Sequence, residues 1–208
     1  MLLYKISRLI CWTFLKIVGK FKVVHGERVP RQGAFILTPN HISNLDPPAV
    51  GSSTRRLVHF MAKSELFESR ILSAWMTAVG TFSVKRGMPD RKAIKRALDL
   101  LEQGEVVCIF PEGTRSEDGK LQEAELGLGM FAMKSRAPIV PLAIIGTNKV
   151  LPPREKGLHF HQITMVYGEP LTFPDLYDSK DSRQAYEEIG RRTMAAIADL
   201  QASFQTVS

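Results

Sequence analysis

The chain has 208 residues, 44% hydrophobic and 24% charged, the balance of a globular protein long enough to bury a core without disulfides or a structural metal. Lys and Arg number 28 against 21 Asp and Glu, a formal charge of +7 that suits an anionic partner: nucleic acid, a phosphorylated metabolite or an acidic membrane face. Two cysteines, Cys11 and Cys108, with no CxxC pair point to a reducing compartment, and no apolar run approaches the roughly 18 residues of a membrane span, so a disulfide scaffold, a disordered chain and an integral membrane protein are all excluded as expectations.

Residues Leu2 to Lys20 have helical composition. At about 100° per residue, Lys5, Arg8, Lys16 and Lys20 fall on one side. Leu3, Ile6, Ile10, Phe14, Ile17, Val18 and Phe21 fall on the other, with Leu9 and Trp12 intruding into the polar arc. A basic stripe opposite a wide apolar face suits an interfacial helix on an anionic membrane. No acidic side chain precedes Glu27 to repel anionic lipid. The alternative is a helix that packs its apolar face on the domain and leaves its cations solvated. No small-residue cleavage site follows, so a removable signal peptide is not expected.

From Lys22 the chain alternates. Extended or buried-strand patterns occur at Lys22 to His25, Ala34 to Thr38, Leu57 to Ala62, Phe82 to Val84, Val106 to Phe110, Ile139 to Ile145 and Gln162 to Tyr167. Helical patterns lie between them: from an Asp90 cap through Ile94, Leu98 and Leu101 to Gly104, then Leu128 to Lys134, then Asp181 to Gln201. Gly146 to Gly157 reads as a loop. The expected fold is α/β, a mixed and largely buried sheet flanked by helices, with residues 1–21 as an amphipathic docking helix and residues 22–208 as one domain.

Thr38-Pro-Asn-His-Ile-Ser-Asn-Leu-Asp-Pro-Pro48 is the most informative segment. In one continuous helix His41 and Asp46 would stand about 140° apart in azimuth, too far to touch. Asp46 followed by Pro47 and Pro48 reads instead as an N-cap with proline opening a new helix. The intervening turn then brings carboxylate and imidazole together. Such a pair makes a general base, the carboxylate fixing the tautomer and favouring the imidazolium. No GxSxG turn supplies a nucleophile, Cys108 lies inside an apolar strand, and Cys11 lies in the first helix. The substrate is therefore expected to bring its own hydroxyl. A structural His–Asp hydrogen bond is the plainer alternative.

Two further loops follow strands, where open α/β sheets place ligands. Phe110-Pro-Glu-Gly-Thr-Arg-Ser116 combines a turn at Gly113, hydroxyls at Thr114 and Ser116, a carboxylate at Glu112 and a phosphate-compatible fork at Arg115. Gly80-Thr-Phe-Ser-Val-Lys-Arg-Gly87 delivers Lys85 and Arg86 to a second loop. Either alone also reads as a solvated turn. His159 and His161 alternate as on one face of a strand but have no matched ligands, so no metal site is expected. The basic helix with Arg91, Lys92, Lys95 and Arg96 reads as a solvated face, or as a platform for an acidic carrier protein, coenzyme A or lipid headgroups.

These segments together resemble the 1-acylglycerol-3-phosphate O-acyltransferase family, the lysophosphatidic acid acyltransferases of short bacterial type. The HxxxxD block stands as His41-Ile-Ser-Asn-Leu-Asp46, flanked by Asn40 and containing Asn44. A GxxxIxR-type block stands as Gly80 to Arg86 with Val84 in place of Ile, FPEGTRS is intact from Phe110 to Ser116, and the proline block stands as Ala137-Pro-Ile-Val-Pro-Leu142. The resemblance spans about Lys22 to Pro170. One departure is Leu121-Gln-Glu-Ala-Glu-Leu-Gly127, acidic where the family often carries a base.

The resemblance implies that His41 takes a proton from the sn-2 hydroxyl of lysophosphatidic acid as that oxygen attacks a fatty acyl thioester, acyl-CoA or acyl-carrier protein, with Asp46 orienting the ring. Arg86, with Lys85 beside it, and Arg115 would hold the acceptor phosphate, while Asn44, Glu112, Gly113 and Thr114 shape the glycerol site. It implies no cofactor and no metal, a peripheral or monotopic place on the cytoplasmic face of the cell membrane, and an anionic lipid surface as partner. Rival readings are the same chemistry on glycerol 3-phosphate or another lysolipid, and a non-enzymatic basic membrane-binding module. No nucleic-acid motif is present, so nucleic acid is not expected as a partner.

Overall fold

Every residue of Phe35–Pro39 is buried, as a strand covered on both faces requires, and this strand (β2) stands at the middle of a seven-stranded sheet. The computed structural model describes residues 2–85, 90–153 and 157–205. The other strands are β1 (Lys22–Val24), β3 (Val58–Lys63), β4 (Phe82–Val84), β5 (Val106–Cys108), β6 (Ile139–Ile145) and β7 (Thr164–Tyr167). Their spatial order is β1-β7-β6-β2-β5-β3-β4. From β6 to β4 all neighbours are parallel, while β7 runs antiparallel to β6 and pairs in parallel with β1. The sheet is mixed, as the alternation of strands and helices led one to expect.

The helices are α1 (Leu2–Gly19), α2 (Asp46–Ser53), α3 (Arg70–Ala78), α4 (Arg91–Glu102), α5 (Leu126–Ser135), α6 (Thr147–Val150) and α7 (Ser182–Gln205). Alternate strand residues feed two cores. Phe35, Leu37, Val106 and Cys108 pack with Leu15, Ala49, Val50 and Tyr167 on the face covered by α1 and α2. Ile36 and Val107 pack with Ala97, Leu101, Phe131 and Ile189 on the face covered by α4, α5 and α7. The predicted boundaries of α4 hold for the expected reasons. The Asp90 carboxylate accepts from the backbone N–H groups of Lys92 and Ala93, and Gly104 takes the left-handed conformation (φ 80°) just past the helix end.

Where α5 crosses α7, a methyl group on Gly129 would lie 2.3 Å from the Tyr186 α carbon. Backbone cannot yield as a side chain can. Gly129→Ala is therefore expected to lower stability by about 3 kcal/mol, the upper end for overpacked cores. Gly127→Ala in the same helix meets no atom within 4 Å and is expected to raise stability by about 0.5–1 kcal/mol. Urea midpoints of the two variants against the parent check both signs.

Several expectations change. A helix, α3, fills the stretch after β3, where the sequence patterns above contain none, and Gly146 to Gly157 opens with the single turn of α6. His159 and His161 precede β7 rather than belonging to it. In α1, Arg8 leaves the basic stripe: its Nη1 donates to the Thr54 carbonyl at 2.7 Å. The helix meets the domain along Tyr4, Arg8, Cys11, Leu15 and Gly19, with Leu15 and Gly19 buried. Leu2, Leu3, Ile6, Leu9, Ile10, Phe14 and Ile17 are exposed, so of the predicted apolar face only its end, Val18 and Phe21, packs on the core.

Candidate active site

Parallel strands end on the same edge of a sheet, and that is what gathers the informative loops. His41 follows β2, Phe110 to Ser116 follow β5, Thr147 follows β6 and Lys85 follows β4. Strand β2 lies between β5 and β6, so the site occupies a topological switch point of the sheet.

The turn from His41 to Asp46 is built around one carboxylate. Asp46 Oδ2 accepts from His41 Nδ1 at 2.7 Å, from the Ile42 N–H at 2.6 Å and from the Ser43 N–H at 2.7 Å. Its Oδ1 accepts from the Thr147 hydroxyl at 2.6 Å. An ionised carboxylate only accepts, so Nδ1 carries the ring proton and Nε2 is left as the basic nitrogen. Asp46 is fully buried; the imidazole is 14% exposed and stacks at 4.2 Å on the Phe110 ring. The expected N-cap role is not taken up. Leu45 is the cap residue, Asp46 is the first helical residue, and its carboxylate points back into the turn instead of onto α2.

Two buried polar side chains clamp this turn to its neighbours. The Asn40 amide pairs with both the N–H and the carbonyl of Ile144, continuing the β2–β6 ladder past the end of β2. Glu112 accepts from the His41 N–H (2.8 Å) through Oε1 and from the Gln122 N–H (3.2 Å) through Oε2. Burial pushes the Glu112 carboxyl up, against those two N–H groups and the nearby imidazole, which pull it down. The Ser116 N–H returns a bond to the His41 carbonyl at 2.8 Å. Arg115 Nη1 donates to Asn44 Oδ1 at 2.6 Å; among the described residues its Nε is a buried donor with no partner.

The model of the acyltransferase family matches residues 20–145, which take in the His41–Asp46 turn and the loop after β5. The chain belongs to the acyltransferase family. The 1-acyl-sn-glycerol-3-phosphate acyltransferase of Bacillus subtilis is 32% identical over 167 residues, covering 77% of this chain and 80% of that one. The probable 1-acyl-sn-glycerol-3-phosphate acyltransferase of Mycoplasma pneumoniae is 27% identical over 211 residues, 93% of this chain and 77% of the relative. The crystal structure of the 1-acyl-sn-glycerophosphate (LPA) acyltransferase PlsC from Thermotoga maritima superposes with a TM-score of 0.75 at 26% identity, over 92% of this chain and 78% of that one. These likenesses set the protein among the lysophosphatidic acid acyltransferases, as an O-acyltransferase enzyme.

In this acyltransferase the structure brings together His41, Asn44, Asp46, Glu112 and Arg115. Gly113 turns the loop with φ 68°, and a methyl there would meet the Glu125 side chain at 2.9 Å. Thr114 is exposed on that turn. Lys85 is exposed on the same edge, but β4 is the third strand from β2, roughly 14 Å away at ordinary strand spacing. Arg86 lies outside the described residues.

Three contributors escaped the sequence reading. Thr147, 101 residues from Asp46, completes the carboxylate's shell. Phe110, read as the end of a strand, lies beyond β5 and supports the ring. An apolar cavity of about 290 Å³ lies beside the dyad, lined by Pro47, Pro48, Phe60, Met76, Val79 and Phe110 among others. The Gly-Thr pair directly after a buried strand was the available signal for Thr147. Among the described residues, no three His, Cys, Asp or Glu side chains converge as a metal centre requires.

Proposed function

We propose that this acyltransferase moves a fatty acyl group from a thioester, acyl-CoA or acyl-carrier protein, to the sn-2 hydroxyl of 1-acyl-sn-glycerol 3-phosphate, giving phosphatidic acid. The observation that carries the reading is the 2.7 Å His41–Asp46 contact beside an apolar cavity, with no activated nucleophile beside it among the described residues. Burial pushes both cysteine thiols up, Cys108 well up, and so disfavours their thiolates. The nearby seryl hydroxyls donate elsewhere, Ser43 to the Leu151 carbonyl and Ser116 to Asp118.

His41 Nε2 takes the proton of the sn-2 hydroxyl as its oxygen bonds to the thioester carbonyl carbon. The tetrahedral adduct then collapses, the C–S bond breaks, and the imidazolium returns the proton to the departing sulfur. Asp46 holds the ring and stabilises its charged form. Arg115, whose Nε is a buried donor with no partner among the described residues, receives the acceptor phosphate. Asn44 holds the Arg115 fork, the Gly113-Thr114 turn bounds the glycerol site, and Glu112 fixes the backbone of His41 against it. The cavity takes one acyl chain. The thioester carries its own activated carbonyl, so the transfer draws on no cofactor. The exposed apolar face of α1, flanked by Lys5, Lys16 and Lys20, rests on the anionic cytoplasmic leaflet as a peripheral contact.

Thiol release from acyl-CoA and from acyl-carrier protein, with each acceptor in turn and the product identified by mass, tests the assignment. Turnover with lysophosphatidic acid should exceed that with glycerol 3-phosphate or lysophosphatidylcholine. A preference for glycerol 3-phosphate would transfer the enzyme to the rival acceptor. Thr147 supplies a finer check. Thr147→Val removes one donor from the buried carboxylate and should cost about 1–3 kcal/mol of stability. Thr147→Ser keeps the donor and should restore the parent stability, read from urea midpoints.

A further inference from the structure

An apolar stripe on a helix ordinarily faces a core. On α3 it faces out. Ile71, Ala74, Trp75 and Ala78, spaced i, i+3, i+4 and i+7, are all exposed, Ile71 to 86%, while Met76 turns inward and is buried. Leu72 and, in the preceding turn, Leu66 extend the exposed apolar surface.

This stripe joins α1. Trp75 Nε1 donates to Ser7 Oγ at 3.0 Å. At about 100° per residue, Ser7 borders Leu3, Ile10 and Phe14, the edge of the exposed apolar face of α1 that lies away from Lys5 and Lys16. The two apolar surfaces are thus continuous across the Trp75–Ser7 bond. The apolar cavity lies between the same helices, with Tyr4, Ser7 and Cys11 on one wall and Trp75, Met76 and Val79 on the other.

We infer that α3 is the second half of a bilayer-docking surface, an inference that rests on the docking of α1 proposed above. The two helices lie side by side at the headgroup–acyl boundary of an anionic leaflet, and the cavity between them opens into that leaflet. Charge selects this occupant. Lys5, Lys16 and Lys20 are exposed along α1, no acidic residue precedes Glu27, and around the start of α3 Lys63 and Arg70 balance Glu65 and Glu68. A lipid can then pass its chain between α1 and α3 without crossing water.

The chain contains two tryptophans, so Trp75→Phe leaves Trp12 alone to report on α1. Adding Ile71→Trp to a Trp12→Phe, Trp75→Phe background puts a single indole on α3, at a position that does not line the cavity. Each protein is mixed with phosphatidylglycerol–phosphatidylcholine vesicles carrying brominated acyl chains. Both indoles are expected to lose about half their emission, the depth of an interfacial helix placing them at the chain boundary. In the parent background, Ile71→Glu should weaken vesicle binding about tenfold, the loss of one buried aliphatic side chain. Quenching of Trp12 without quenching of the α3 indole overturns the inference and leaves α1 docking in place. Quenching of neither indole overturns both. An unquenched α3 indole in a lipid-free dimer that Ile71→Glu dissociates gives the face to a second copy, and also overturns the inference.

Discussion

His41→Ala is expected to lower kcat/KM for acyl transfer by about 10²–10⁴-fold, the usual contribution of a positioned general base. The fold should survive. The backbone bonds of His41, its N–H to Glu112 and its carbonyl from Ser116, do not involve the ring. Asp46 keeps its other three donors, Ile42, Ser43 and Thr147. What is lost is the imidazole stacked on Phe110 and the basic nitrogen it carries. Thiol release and urea unfolding of the same preparation separate the two effects. Unchanged turnover in a folded His41→Ala protein removes this residue from the mechanism.

Asp46 gives the second large effect, and two substitutions divide its roles. Asp46→Ala strips the acceptor from three donors besides the imidazole, in a site with no solvent exposure. At about 1–3 kcal/mol for each buried group left unpaired, a loss of roughly 3–9 kcal/mol is expected, a large share of a domain's stability. Asp46→Asn behaves differently. Its carbonyl oxygen can face His41, Ile42 and Ser43 while its NH₂ faces Thr147, whose hydroxyl rotates to accept. Stability should change by only about 1 kcal/mol. Activity should still fall by roughly 10²–10⁴-fold, because the neutral amide does not stabilise the imidazolium. Equal activity of Asp46→Asn and the parent would reduce the carboxylate to a structural clamp.

The strands that centre the sheet were legible because they are buried on both faces. Phe35–Leu37 and Ile139–Ile145 read as unbroken apolar runs. Helix α4 was legible at both ends, through Asp90 and Gly104. His41 and Asp46 were legible as a pair because two prolines deny a continuous helix. The capping role was not, since the competition for one carboxylate is decided by the upstream N–H groups of Ile42 and Ser43. Periodicity also says that a helix has two faces, not which one is covered. Arg8 therefore read as part of the lipid-facing basic stripe although it bonds Thr54, and the outward stripe of α3 passed unnoticed. Glu112 carried the right chemistry for a polyol contact, yet each of its oxygens already accepts a backbone N–H. Contacts at such sequence distance follow from strand order, which local patterns do not encode.

Direct transfer from thioester to acceptor hydroxyl, with His41 as base, is the centre of the account. Rapid-quench measurement of thiol release from stoichiometric acyl thioester, without acceptor and then with lysophosphatidic acid, addresses it most directly. The predicted result is no burst and no acylated protein by intact mass until acceptor is added, then one thiol released per phosphatidic acid formed. One equivalent of thiol released before acceptor is present, with an acyl group bound to the protein, would contradict it.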